Sequence, residues 1–193
     1  AVDDDDDETQ LLSLQAKERW LVLVIDFPSK ASGAGSDPAR AEAMLTGERS
    51  ASDYIFQMSG GSSELEVVVH PIVYSAASEV NVYGLDVDGE RDVGTEGVDP
   101  AKLVEEAVSS ALAAVNLSDY DLNGDMRLDR LLLMHTGRAQ ENGGRSSDIW
   151  SHFSYLMDPI EVNGTEIAHY TMASFDSGLG TILHEMIHQM GAI

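Results

Sequence analysis

Two histidines four positions apart, His184 and His188, flank Glu185 in the segment GLGTILHEMIHQMGAI at the end of the 193-residue sequence. Residues at i and i+4 stand one turn apart on the same side of a helix. Both imidazoles can therefore reach one metal ion, while Glu185 turns toward a water held by that ion. Zinc suits such a site: it takes imidazole ligands and lowers the pKa of bound water to about 7. A neighbouring carboxylate can then accept the proton as the water attacks a peptide carbonyl. Leu179, Ile182, Leu183, Met186, Ile187 and Met190 recur every three or four residues, which gives the helix an apolar face opposite the histidines. The plain alternative is a pair of polar surface histidines. Against it stands Gly191, three residues after His188, where a sharp turn would end the helix.

A second set of donors is acidic. Asp121, Asn123, Asp125 and Asp129 alternate as the oxygen ligands of Ca2+ loops do. A shifted register, Asp119, Asp121, Asn123 and Gly124, matches the start of an EF-hand loop. In either register the twelfth position, Leu132 or Arg130, is not the bidentate Glu, so a full EF-hand is not expected. The competing reading is an Asx-rich turn capped by its own side chains. His70, His135, His152 and His169 lie in or beside strand-like segments and read as structural histidines rather than ligands. Tyr170 could line a cleft beside an edge strand that takes substrate by β-addition, with its own strand as the upper rim, although aromatic residues in strands are more often core.

These residues need a scaffold. A short helix-compatible stretch precedes residues 20–27 (WLVLVIDF), which read as a central buried strand ended by Pro28. Residues 29–38 are rich in Gly, Ser and Ala and read as a loop. Residues 51–58 read as a short helix with Tyr54, Ile55 and Met58 on one side, closed by Gly60 and Gly61. Residues 64–74 form a second strand candidate, which Pro71 assigns to an edge or a bulge. Asp99 as N-cap and Pro100 at the first helical position predict a helix through residues 102–115. Residues 130–135 and 167–175 predict two further strands. Strands separated by helices indicate an α/β or α+β sandwich.

Composition narrows the function. Asp and Glu number 34 against 11 Lys and Arg, and a net charge of −23 would repel nucleic acid and anionic lipid. No apolar run approaches the ~18 residues of a membrane span, so no membrane insertion is expected. With no cysteine, metal chemistry falls to His, Asp and Glu. Residues 1–10 carry a like-charge block and read as an acidic disordered tail, with one domain over residues 11–193.

The segment HEMIHQMG resembles metzincin-like zinc peptidases. Three further stretches are similar to the immune-inhibitor-A-like family of secreted metallopeptidases, the M6 family: WLVLVIDFP, SDYIFQMSGGSSELEV, and YDLNGDMRLDRLLLMHTG followed by DIWSH. The resemblance covers residues 20–193. It implies a zincin- or metzincin-like upper subdomain, a mixed twisted sheet with a helix before it and the HExxH helix behind. It further implies a secreted zinc endopeptidase acting on protein or peptide substrates, with His184 and His188 as ligands and Glu185 as general base. The metzincin spacing puts a third ligand at position 194, one past Ile193, so the sequence is expected to be the N-terminal part of a catalytic domain continued by C-terminal segments. Two other readings stand beside it: a calcium-dependent binding module, and a peptidase fragment without activity of its own.

Overall fold

In the computed structural model of the chain, residues 11–113 and 115–192 are described, and the acidic tail expected over residues 1–10 lies outside them. The centre is a mixed sheet in the order β2 (Glu64–Val69), β1 (Lys17–Asp26), β4 (Leu131–His135), β6 (Thr165–Ser174), β5 (His152–Val162), with the short β3 (Tyr74–Ser75) also paired to β1. All pairs are parallel except β5 with β6.

The apolar run of β1 is continuous because the strand is covered on both faces, as parallel strands usually are. Leu21, Leu23 and Ile25 enter the core beneath α4 (Pro100–Ala111), together with Leu131 and Leu133 of β4. Trp20, Val22 and Val24 point the other way, joined by Leu132 and Met134. On that second face pack α1 (Pro38–Leu45), α2 (Ala51–Met58) and α5 (Leu179–Gln189). The short helix α3 (Val80–Tyr83) adds Val80 and Tyr83 to the first core. The result is a mixed α/β fold with helices on both sides of its sheet.

Several expectations change in detail. Among the described residues no helix precedes β1, which instead begins at Lys17, with Glu18 already buried. The strand expected over residues 64–74 parts around Pro71 into β2 and β3, and β2 is the edge strand that the proline indicated. Of the expected apolar side of α2 only Ile55 is buried, while Tyr54 and Met58 are exposed. Helix α4 starts as expected, the Asp99 carboxylate accepting from Lys102 N at 3.0 Å, but it ends at Ala111, where Leu112 seats in the core. α1 was not expected, yet it carries the same Asp-Pro signal: Asp37 accepts from Arg40 N at 2.8 Å ahead of Pro38.

The largest omission is β5. It joins β6 through Asn163 and Gly164, both at positive φ, the geometry of a tight type I′ hairpin turn. β6, which holds Tyr170, is an interior strand, and its antiparallel neighbour β5 is the edge strand beside α5.

Candidate metal centre on helix α5

Helix α5 sits where its apolar face requires. Ile182, Leu183 and Met186 bury against β1, β4 and β6, leaving His184 on the outer side with 67% of its side chain exposed. The Nε2 atoms of His184 and His188 converge to 3.1 Å, with the rings edge to face. Two imidazoles on one tetrahedral zinc, at ~2.0–2.1 Å each, would place these atoms about 3.3 Å apart, close to the separation of this pair. The helix then stops in a left-handed hook. Gly191, at φ 81°, donates to His188 O at 2.9 Å, and Ala192 N donates to Ile187 O at 3.3 Å. The hook brings Ala192 O to 3.0 Å from His188 Nδ1. A proton held there on Nδ1 leaves Nε2 with a free lone pair, as a metal ligand needs.

Glu185 is buried between α5 and the edge strand. Its Oε2 accepts from Phe153 N at 2.9 Å, and its Oε1 lies 3.9 Å from His184 Nε2. Burial pushes the carboxyl up from its ordinary range, against the Phe153 amide and the two imidazoles, which pull it down. No residue type marks Phe153 out for this role, because every residue but proline carries a backbone donor.

Gln189, also buried, fastens the same helix to the sheet. Its Nε2 lies 2.8 Å from His169 Nδ1, and its Oε1 accepts from Leu131 N and Thr171 Oγ1, each at 3.3 Å. His169 is thus structural, as expected, with burial holding its imidazole down at about 4.

Comparison with protein-family profiles matches residues 35–192 to the immune inhibitor A peptidase M6 catalytic domain. The chain belongs to the immune inhibitor A peptidase M6 family. A search of curated proteins finds no match. Membership makes this a peptidase-family protein. Among the described residues of this M6 chain, no group of three or more His, Cys, Asp or Glu is arranged to hold a metal ion. Nor, among them, is any helix long and apolar enough to cross a membrane.

The acidic loop of the M6 chain is folded on its own backbone. Asp121 accepts from the amides of Gly124, Asp125 and Met126, Asn123 from Asp125 N, Asp125 from Arg127 N, and Asp129 from Leu122 N. Asp129 is nevertheless buried, and burial pushes its carboxyl up to about 6. His135 is wholly enclosed with neither ring nitrogen hydrogen-bonded, and burial lowers its pKa to about 3, so it stays neutral. His70 only closes a local turn, its Nδ1 3.1 Å from Ile72 O.

Tyr170 is 2% exposed and lies on the other side of the sheet from α5. Its hydroxyl is 3.0 Å from His152 Nε2, at the wall of a groove of about 880 Å³ between β5 and the first turns of α4. Asp92 and Trp150, with Arg91 stacked 3.6 Å above the indole, line the same groove. Asp92 Oδ2 lies 3.7 Å from His152 Nδ1, but this is no ion pair: burial holds the imidazole down and pushes Asp92 up to about 7. Between 3.8 and about 7 the unfolded chain loses the Asp92 proton while the folded chain keeps it. The contribution to stability is therefore full at low pH and gone above about 7. Asp92→Asn should raise the melting temperature relative to the unaltered chain at about pH 8, and the difference should vanish toward about pH 4. Equal melting temperatures at the higher pH would show that the buried carboxylate carries no penalty.

Proposed function

We propose that this chain is the zinc-binding core of a secreted metalloendopeptidase that cleaves internal peptide bonds of extended polypeptides, built on the upper subdomain of a metzincin-like fold. The observation that carries the reading is the convergence of the two Nε2 atoms, 3.1 Å apart, beside a carboxylate held by the edge strand. His184 and His188 would hold the ion. Zinc, when bound, polarises the scissile carbonyl and acidifies the attacking water.

The chain's own groups do the rest. With Oε2 held by the Phe153 amide, Glu185 keeps Oε1 for the proton of the attacking water and returns that proton to the departing amine nitrogen. β5 forms the sheet edge beside α5, and an extended substrate would add along that edge as a further strand. The extracellular location rests on the family.

A second reading, calcium at the acidic loop, is favoured by Asp129, a carboxylate buried at the base of that loop. One experiment tests both. After loading and dialysis, mass spectrometry should find about one zinc per chain, lost in His184→Ala and His188→Ala. Calcium retained by the unaltered chain and lost in Asp121→Ala would support the second ion. No retained zinc would sink the peptidase reading; zinc without casein hydrolysis would identify this chain as a fragment inactive by itself.

A further inference from the structure

We propose that Arg130 and Glu18 form a positioning clamp for the metal-binding helix, coupling residues 11–16 to the His188 end of α5. The inference rests on the zinc reading above. Arg130 is 0% exposed, and every guanidinium N–H is engaged. Nε and Nη2 grip the Glu18 carboxylate at 2.6 and 3.0 Å, a two-point pairing that only the planar fork of arginine makes. Nη1 donates to Asp129 O at 3.0 Å and Gln189 O at 3.1 Å. Nη2 also reaches Leu12 O at 2.9 Å and Ser13 O at 3.3 Å.

The carbonyl of Gln189 follows His188 directly and belongs to the last turn of α5, whose carbonyls lack partners within the helix. A buried cation there both satisfies that carbonyl and matches the negative end of the helix dipole. The same guanidinium holds the N-terminal segment, and Glu18 Oε1 accepts from Gln15 N at 2.7 Å. A methyl group built on Gly191 would meet Ser13 Cα at 3.8 Å and Leu11 O at 4.0 Å, so the segment lies against the hook that presents Ala192 O to His188. Strap, clamp, hook and ligand thus form one connected chain of contacts.

A pair that only stabilised the fold would not transmit zinc binding to the strap. By reciprocity, an ion that fixes His188 should tighten residues 11–18, none of which is a proposed ligand. The first measurement is hydrogen exchange of the unaltered chain with and without zinc, read on the peptide covering residues 11–18. Exchange there should slow several-fold. Arg130→Lys keeps the charge but loses the fork; it should lower zinc affinity about tenfold, the scale of a lost supporting contact, and abolish the protection. Zinc bound with unchanged exchange over residues 11–18 overturns the clamp and leaves the peptidase reading standing. A folded Arg130→Lys chain that binds zinc like the unaltered one also overturns it. If that variant does not fold, the exchange measurement decides alone. Failure of the unaltered chain to bind zinc overturns both readings.

Discussion

Arg130→Met should cost about 3–5 kcal/mol of folding stability, because it strands the Glu18 carboxylate, wholly buried, without its counter-charge. The guanidinium also satisfies four backbone carbonyls, from Leu12, Ser13, Asp129 and Gln189, which would lose that partner. Urea unfolding followed by circular dichroism measures the loss. The double change Glu18→Leu with Arg130→Met should recover much of it, since apolar groups of similar volume can replace a buried ion pair at little cost. A single-variant loss below about 1 kcal/mol would mean that water or another cation reaches Glu18.

Glu185→Gln should lower peptide hydrolysis by about two to four orders of magnitude, the usual contribution of a positioned general base, while zinc content and melting temperature hold. The amide is nearly isosteric, and its oxygen can still accept from Phe153 N, so the contact between α5 and the edge strand survives. What it cannot do is take a proton. Parallel assays of casein cleavage and zinc content give the answer. Undiminished cleavage would place the base elsewhere, and loss of zinc together with activity would point to a disturbed site rather than a missing base.

Much of the scaffold was legible because it is written in local patterns. The run at residues 20–27 showed a strand apolar on both faces, and the structure covers it on both. The Asp99-Pro100 pair marked the start of α4, and the same signal at Asp37-Pro38 marks α1. β5 was less legible: its sequence HFSYLMDPIEV breaks alternation, carries Pro159, and slips register between Tyr155 and Ile160. An edge strand with one exposed side has no need of a continuous apolar run. Its best signal was the Asn163-Gly164 turn rather than anything within the strand.

The sequence by itself determined the pairing of His184 with His188 and the apolar face that turns them outward, because both follow from the period of a helix. It left the acidic loop open between calcium ligands and an Asx-rich turn, and the structure shows its side chains accepting from the loop's own amides. Only the tertiary structure decided that β5 is the edge strand beside α5, and that a Phe153 amide holds Glu185. It alone brought Glu18, Arg130 and Gln189 together behind the helix. Strand order and long-range partners depend on how layers pack, which residue spacing along one element does not encode.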